Sequence, residues 1–387
     1  MTIPAYEITI TNVTQQILTD VVSFNCRNGR STKTDVYASS SGSFTFRNPQ
    51  NLYTEAVIGA LVVVKVNTRS VYSGFITNIQ YNYGIVENED TATISLEGYL
   101  SFLGRGYLNG FALTGLTTGA EAQRIGTSLS GSAKTISNQD TKSLTDTSSF
   151  TGSAQNLITT LVAMEQGRLN QGAFGLVFLG RDNLQDATAN PYNFSNFKFT
   201  DVLPVASGIS YDSIEFANLT DNYYTQTTVT AATVAPQFAG TGDRNLQIST
   251  YDPTTTQADN LAEYMLAEFV SNTSDPISIS TRNSLDWTRD PASMVSLNPI
   301  GWRLPVTFRD ALYQTVIEGW SVTATPEDVR YTFYLSSFTE NNFLKLGDSV
   351  YGVLGGNGIT YNQAIDYNEV GYIYNDAYAD DGCKLGF

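Results

Sequence analysis

The sequence predicts a mainly β protein of the α+β class. Only 15% of its 387 residues are charged, below the usual quarter, and 12% are aromatic. Segments such as "YEITITNVT" and "LVVVKVN" alternate apolar and polar residues with a period of two, which is typical of strands with one buried face. Because several such segments follow one another at close spacing with turn residues between them, a barrel or sandwich is expected.

Strand-like segments fill the first and last thirds of the chain. Near the start, the strands predicted are "DVVSFN", "SFTFRN", "LVVVKVN", "RSVYSGFITNIQYNY" and "TATISLEGYLSFL". Near the end they are "GISYDSIEF", "YYTQTTVTAATV", "RNLQIST", "DPISISTRNS", "WRLPVTFRD", "QTVIEGWSVTA" and "VRYTFYLSSF". One helix is predicted between these, over "TTTQADNLAEYMLAEFVSN", where Leu261, Met265 and Phe269 share a face.

The middle of the chain has a different pattern. "TTGAEAQRIGTSLSG" predicts a weakly amphipathic helix. A second, stronger helix is predicted to begin after Ser153 as N-cap, with Leu157, Ile158 and Leu161 at helical spacing, and to end near Gly167. "FGLVFLGRDN" then predicts a strand. We therefore expect a mixed α/β insertion between two β parts.

The two β parts resemble each other. In both, a strand leads through a short gap to "SGFITNI" or "EGWSVTA", then to an acidic turn and a strand ending "YLSFL" or "YLSSF". This match aligns Gly74 and Phe75 with Gly319 and Trp320. It predicts two related β-barrel domains, although two strand meanders can also look alike by chance. The domains expected are a first barrel at 1–110, an α/β insertion at 111–205, a second barrel at 206–344 and an extended tail at 345–387.

Charge and cysteine content narrow the function. The formal net charge is −16 and the pI about 4.3, which argues against nucleic acid as a specific partner. Cys26 and Cys383 lie too far apart in sequence to form a disulfide framework or zinc site, and two free thiols are expected. The N-terminus lacks the pattern of a signal peptide, and Lys65 interrupts the longest apolar run, so no membrane span is expected.

Catalytic chemistry has little support. The chain contains no histidine, which excludes Ser-His-Asp triads and HExxH zinc sites, and it has no phosphate-binding glycine motif. No enzyme activity, cofactor or metal is expected. Two carboxylates could still hydrolyse a glycosidic bond, and the formal candidates are Glu97, Glu165, Asp182 and Glu318. The acidic clusters are expected to be solvated turns rather than Ca²⁺ sites.

A basic stretch stands out in this acidic chain. Residues 26–48 carry Arg27, Arg30, Lys33 and Arg47 with a single acid, Asp35. The stretch could be a surface loop, a basic binding patch or a docking element.

Five motifs in order resemble a known family. They are the spacing from Arg27 and Arg30 through Asp35 to "SGSFTFRN", then "VYSGFITNI", "AMEQGRLNQGAFGLVFLGRDN", "EGWSVTATPEDVRYTFYLSS" and "FLKLGDSVYGVLGG". Together they resemble the minor tail proteins of long-tailed phages, particularly those of Gram-positive and actinobacterial hosts. That family is similar to the wider class of tail-hub proteins with duplicated β-barrels. In the segment "LEGYLSFLGRG", Gly98 stands where that family usually has an acid.

The resemblance implies a structural virion protein at the distal end of a phage tail, made in the bacterial host cytoplasm. It would close the tail tube as a tip or baseplate hub. A trimer would present six similar barrels, matching a sixfold tube, while six copies of a simpler ring protein remain an alternative. The partners implied are the tail tube or distal tail protein, the tape-measure protein and host-recognition proteins, with DNA passing without specific binding. The alternatives are a receptor- or carbohydrate-binding adhesin and, with less support, a cell-wall hydrolase.

Two groups of residues are predicted at interfaces. Arg27, Arg30 and Asp35 are expected to dock against backbone or acidic groups across a barrel or subunit boundary. In the tail, aromatic residues recur among acids and small residues, which suits a segment that orders against a neighbouring subunit. The tail residues expected there are Tyr361, Tyr367, Tyr372 and Tyr374.

Overall fold

A computed structural model gives the fold of the chain. It describes residues 6–11, 17–18, 21–33, 35–47, 57–84, 90–130, 135–172, 175–181, 183–186, 199–200, 209–210, 213–218, 223–224, 244–245, 250–251, 253–254, 257, 261, 274–282, 291–309 and 311–337. All of these belong to one compact unit, Met1–Ser337. The predicted tail lies outside the described residues.

The first part consists of strands, as predicted. They are β1 (Tyr6–Ile10), β2 (Ile17–Leu18), β3 (Val21–Gly29), β4 (Ser41–Arg47), β5 (Leu61–Val66), β6 (Arg69–Asn82) and β7 (Thr91–Glu97). Burial follows the period of two: along β5, Val62, Val64 and Val66 are fully buried while the residues between them are half-exposed.

The middle part is mixed α/β, as predicted. It contains α1 (Tyr99–Gly104), β8 (Tyr107–Ala112), α2 (Thr118–Ser130), β9 (Thr135–Gln139), β10 (Ser149–Ser153), α3 (Ala154–Glu165), β11 (Arg168–Gly172) and β12 (Gly175–Leu179).

Strands return in the last part. They are β13 (Gln185–Asp186), β14 (Phe199–Thr200), β15 (Ile209–Ser210), β16 (Ser213–Asn218), β17 (Tyr223–Tyr224), β18 (Arg244–Asn245), β19 (Ser274–Arg282), β20 (Trp302–Phe308), β21 (Ala311–Ala324) and β22 (Val329–Ser337), with a short helix α4 (Pro291–Ser296) before β20. The predicted helix over residues 254–272 lies almost entirely outside the described residues.

One local prediction was wrong and another needs detail. "YLSFL" was predicted to continue a strand but forms α1, because Tyr99, Leu100 and Leu103 are buried at helical spacing in a separate core. The helix α3 ends at Glu165, near the predicted stop, and Gln166 rather than Gly167 takes the left-handed conformation, at φ 53°. Gly167 is needed for space instead: a Cβ there would lie 2.4 Å from the Leu179 carbonyl oxygen.

Fifteen of the described strands form one connected sheet. Its main path runs β15-β14-β20-β21-β3-β4-β7-β6-β5-β1-β2, and β22, β19 and β16 branch from β21 in that order. The structure therefore confirms the mainly β class. It differs from the predicted pair of barrels in that no barrel closes among the described strands, and β21 and β3 join the two parts into a single sheet.

The branched path contains the same five-strand order twice. In the first part neighbouring strands run β3-β4-β7-β6-β5, and in the last part they run β16-β19-β22-β21-β20. We call these the first and second repeat. Both β6 and β21 have 14 residues and follow a two-residue hairpin turn, from Val66↔Arg69 and from Phe308↔Ala311.

Details of the ladders support this equivalence. A positive-φ glycine precedes each hairpin, and the N–H groups of Gly59 and Gly301 donate to Ile76 and Ile317 carbonyls, both at 2.8 Å. Each long strand then has a β-bulge, since Thr77 and Glu318 are skipped in the registers with β7 and β22.

A hydroxyl pair also recurs between the same two strands of each repeat. Its members lie 2.9 Å apart in both cases: Thr45 with Thr93, and Ser280 with Thr332.

The structural register corrects the sequence alignment of the repeats. Counting from the bulge, the equivalents of Gly319 and Trp320 are Asn78 and Ile79, not Gly74 and Phe75. The sequence match placed one glycine on another, whereas hairpin and bulge positions fix which residues pair.

The described residues of this unit form two hydrophobic cores. The larger lies on the sheet and includes Phe24, Phe44, Ile94, Trp320 and Phe333. The smaller joins α1, α2 and α3 to β9, β11 and β12, and it takes in Tyr37 from the segment after β3. The bounds of the four predicted domains stay predictions. Within the described part of the chain, no helix is both long and apolar enough to span a membrane.

Candidate functional site

The two repeats meet where β21 pairs with β3. Six residue pairs, from Gly319↔Gly29 to Ala324↔Phe24, form this ladder, which we call the internal seam. Two glycines face each other at its end. A Cβ on Gly29 would lie 2.4 Å from the Glu318 carbonyl oxygen, and one on Gly319 would lie 2.5 Å from the Arg30 carbonyl oxygen. Gly29 also has φ +83°, which favours glycine. The seam therefore requires both glycines.

A buried carboxylate lies at the end of this seam. Glu318 occupies the β21 bulge and is 0% exposed. Its Oε2 accepts a hydrogen bond from Arg30 Nε at 2.9 Å, and its Oε1 accepts one from Arg168 Nη2 at 2.7 Å. Ser336 Oγ also donates to Oε1 at 2.7 Å. We call Glu318, Arg30, Arg168 and Ser336 the charge centre.

The charge centre holds its carboxylate ionised. Burial by itself would raise the pKa of Glu318, but the neighbouring Arg168 and Arg30 guanidinium groups, with the hydrogen bonds from Arg168 and Ser336, lower it well below its usual range. Both arginines are 3% exposed. A buried charge without a partner is costly, so both arginines depend on Glu318, and Glu318 depends on them.

Tyr37 links the charge centre to the smaller core. The Arg30 guanidinium carbon lies 4.9 Å from the centroid of the Tyr37 ring, within the range of a cation–π contact. Burial raises the pKa of Tyr37 to about 12, although the nearby Arg30 opposes this shift. Because Arg168 begins β11 and Tyr37 packs in the smaller core, the centre ties both repeats to the α/β part.

The basic stretch divides into a buried and an exposed part. Arg30 meets both a carboxylate and a backbone group, since its N–H also donates to the Glu318 carbonyl at 3.1 Å. Arg27 is exposed on β3, donates to Ser31 Oγ at 2.7 Å and lies 5.6 Å from the Tyr334 ring centroid. Asp35 is exposed too, and its Oδ2 accepts a hydrogen bond from the Thr32 N–H at 3.0 Å.

The other predicted interface residues lie outside the described residues. These are Tyr361, Tyr367, Tyr372 and Tyr374. Their role against a neighbouring subunit, like that of Arg27, Arg30 and Asp35, stays a prediction.

The formal catalytic carboxylates have local roles where they are described. Glu165 is buried and accepts hydrogen bonds from Thr118 Oγ1 at 2.9 Å and from the Ser143 N–H at 2.9 Å. Glu97 accepts one from Ser101 Oγ. Glu318 is held ionised, which does not suit a general acid. Asp182 lies outside the described residues. No cluster of three or more metal-ligating side chains occurs in the described ranges.

Sequence reasoning missed Arg168 as a functional partner. Arg168 entered only as part of the motif "AMEQGRLNQGAFGLVFLGRDN", and Glu318 only as a formal catalytic acid. The sequence did place Arg168 just before a predicted strand and Glu318 beside the strand glycine Gly319. Their meeting depends on contacts 150 residues apart in the chain, which no local pattern reveals.

Comparison with known proteins gave matches among solved structures. No family model and no curated protein sequence matches the chain. A tail protein from Neisseria meningitidis MC58 aligns with a TM-score of 0.60 at 9% identity, covering 87% of this chain and 97% of the other. The 43 kDa tail protein of prophage MuSo2 from Shewanella oneidensis aligns with a TM-score of 0.55 at 11% identity, covering 86% and 98%.

A third structure comes from a secretion system. The E. coli c3393 protein, a type VI secretion component described as similar to the T4 phage tail proteins gp27 and gp5, aligns with a TM-score of 0.54 at 14% identity. The alignment covers 86% of this chain and 77% of that protein. At these identities the likeness shows the fold alone. The chain thus has the fold of phage tail proteins.

Proposed function

We propose that the protein is a structural component of a phage tail, forming the tip or baseplate hub that closes the distal end of the tail tube. The observation that carries the proposal is the fold: one strand order occurs twice in a chain whose fold is that of phage tail proteins. The motif resemblance described above supports the same role, including the finer expectation of the actinobacterial and Gram-positive type.

The two repeats allow a threefold assembly to contact a sixfold tube. Three copies of a chain with two equivalent repeats present six similar modules, so a trimer can match a sixfold tube. The internal seam and charge centre support this role because they fix the two repeats in one orientation.

The proposed role is architectural rather than catalytic. Partners of the hub would be the tail tube or distal tail protein, the tape-measure protein and host-recognition proteins. DNA would pass through its channel without specific binding, and the net charge of −16 would limit adhesion of DNA to the channel.

Assembly of the purified chain tests the proposal. Native mass spectrometry should give a species of three times 42.2 kDa, and electron microscopy should show a ring with a central channel. Antibody labelling of virions should mark the distal end of the tail.

Other outcomes favour the rivals. A monomer that binds cell-wall glycan would indicate an adhesin, and release of soluble peptidoglycan fragments would indicate a hydrolase. Either result without a ring would reject the hub.

A further inference from the structure

We infer that a small cleft beside the internal seam binds a neutral sugar ring. The cleft has a volume of about 130 Å³, and both Asn28 and Trp320, which pair in the internal seam, line it. We call it the seam cleft. The inference goes beyond the proposed function, because a structural hub does not require a ligand.

Three parts of the fold meet at the seam cleft. Asn28 on β3 and Ser73 on β6 belong to the first repeat, and Trp320 on β21 belongs to the second. Gln171 on β11 contributes from the α/β part, and Ser296 contributes from α4. A ligand in the cleft would therefore contact both repeats and the α/β part at once.

Buried polar side chains form one side of the cleft and are held by one another. Asn28, Ser40 and Gln171 are all buried. Asn28 Nδ2 donates to the Gln171 carbonyl at 3.3 Å, and the Ser40 N–H donates to Gln171 Oε1 at 3.4 Å. Ser40 Oγ lies 3.5 Å from the Tyr72 hydroxyl. Because these side chains are already ordered, a ligand would lose little affinity to their ordering.

Other polar groups of the cleft are left for a ligand. The indole N–H of Trp320 is buried and has no hydrogen-bond partner among the described residues. A buried donor without an acceptor is costly, and a ligand oxygen would supply the acceptor. Within the described part of the chain, Asn28 Oδ1 and the hydroxyls of Ser70 and Ser73 also make no hydrogen bond. The cleft thus offers acceptors as well as donors.

The lining of the cleft is uncharged. No Asp, Glu, Lys or Arg is among the described residues that line it. A charged ligand would lose its hydration there without gaining a counter-charge, which is unfavourable. The lining therefore selects a neutral molecule, although the whole chain carries a net charge of −16.

The remaining surface of the cleft suits a sugar. The rings of Tyr72 and Trp320 lie in its wall, and Val71 and Val295 add apolar surface. A sugar ring has apolar C–H faces, and each hydroxyl on its rim can both donate and accept a hydrogen bond. Serine hydroxyls have the same double capacity, so they can pair with a sugar hydroxyl in either direction.

The volume limits the ligand to one ring. Pockets for drug-sized ligands have about 300–1,000 Å³, well above the volume of the seam cleft. Ser70, which lines the cleft, is exposed, so the cleft opens to solvent. The ring can therefore be a free monosaccharide or the end of a glycan. For so small a ligand, we expect a dissociation constant on the order of 1 mM.

Saturation-transfer NMR on the full-length protein tests the ligand class. The probes are D-glucose, D-galactose, D-mannose and N-acetyl-D-glucosamine, and at least one should bind saturably. The uronic acid and the amino sugar that correspond to it should bind at least about tenfold more weakly, because the lining is uncharged. Binding of none of the four sugars, or equal binding of a charged counterpart, would overturn the inference.

The methyl glycoside of the bound sugar distinguishes the two sources. Equal binding of the glycoside indicates the end of a glycan, since the linking oxygen then tolerates a substituent. Loss of binding indicates a free monosaccharide.

Substitutions test the location of the site. Ser73→Leu places an apolar side chain in the cleft and should weaken sugar binding at least about tenfold. The matched control is Ser43→Leu, also at a half-buried strand serine but outside the cleft, which should leave the affinity unchanged. Trp320→Phe keeps an aromatic ring but removes the N–H, and it should weaken binding about threefold to tenfold.

A further substitution guards against a folding defect. Ser296→Leu fills the same cleft from α4, so it tests the site independently of β6 and β21. Circular dichroism melts show which variants are folded. Unchanged affinity of the folded cleft variants would overturn the location.

These outcomes separate the inference from the proposed function. A ring that binds none of the sugars keeps the hub and rejects the sugar site. A monomer that binds a neutral sugar through the seam cleft keeps the sugar site and rejects the hub.

Discussion

Replacing the buried carboxylate of the charge centre by an amide should destabilise the protein strongly. Glu318→Gln preserves the shape of the side chain but removes the negative charge between Arg30 and Arg168. Both arginines are 3% exposed and would stay buried without a counter-charge. Removing one partner of a buried ion pair typically costs about 3–5 kcal/mol, because the remaining charge is left uncompensated.

This cost is large enough to measure by thermal unfolding. One kcal/mol corresponds to about 2 °C in Tm at the upper end of single-chain sizes, so Glu318→Gln should lower Tm by roughly 5–10 °C. Differential scanning calorimetry at pH 7 is the direct assay.

Glu7→Gln provides a control with the same chemistry. Glu7 pairs with Lys65 on the same sheet, but both side chains are 34% exposed. Such pairs contribute about 0–1 kcal/mol, so the control should melt within about 2 °C of the wild type. A Glu318→Gln variant as stable as Glu7→Gln would refute the idea that the centre depends on its charge.

The wild type and Glu318→Gln also allow a test by the pH dependence of Tm. The pKa of Glu318 is lowered in the folded state from its ordinary value of 4.5, because Arg168 and Arg30 lie beside the carboxylate. Its ionised form therefore stabilises the fold fully above about pH 4.5, and this contribution decreases as pH falls below that value. The Tm difference between wild type and Glu318→Gln should narrow between pH 4.5 and pH 3 and stay constant from pH 6 to 8. A difference independent of pH throughout would contradict the linkage.

Two further comparisons test the basic stretch and the seam. Arg30→Ala should lower Tm by several degrees because Glu318 loses a buried partner. Arg27→Ala removes only an exposed aromatic contact of about 0.5–1 kcal/mol and should change Tm little. Equal effects of the two variants would reject the distinction between a buried and an exposed part of the basic stretch. Gly319→Ala should lower the free energy of unfolding by about 1–3 kcal/mol through overpacking, because its Cβ would lie 2.5 Å from backbone. Gly42→Ala on β4, whose nearest contact would be 3.1 Å, should lower it less. Chemical denaturation measures both.

Local pattern determined much of the secondary structure. The period-two alternation identified β1, β4, β5 and β7, since each has one face in the sheet core. Helical spacing identified α2 and α3. The run "YLSFL" is too short for its pattern to distinguish a strand from a helix, so its burial in the smaller core decided that it forms α1.

The repeat was visible in the sequence, but its register was not. The sequence match aligned Gly319 with Gly74, four residues before its observed equivalent Asn78. The match could not find this register because hairpin and bulge positions depend on which residues pair.

The sequence by itself determined a mainly β chain with a duplicated strand pattern. It also indicated a basic stretch whose arginines need acidic or backbone partners. Only the tertiary structure decided what those partners are. Glu318 lies in β21, Arg30 directly follows β3, and Arg168 begins β11. Glu318 is 288 residues from Arg30 and 150 from Arg168, so no local pattern reveals their contact. Each arginine is tolerated in the interior because folding places Glu318 beside it, and Glu318 is tolerated because folding places both arginines beside it.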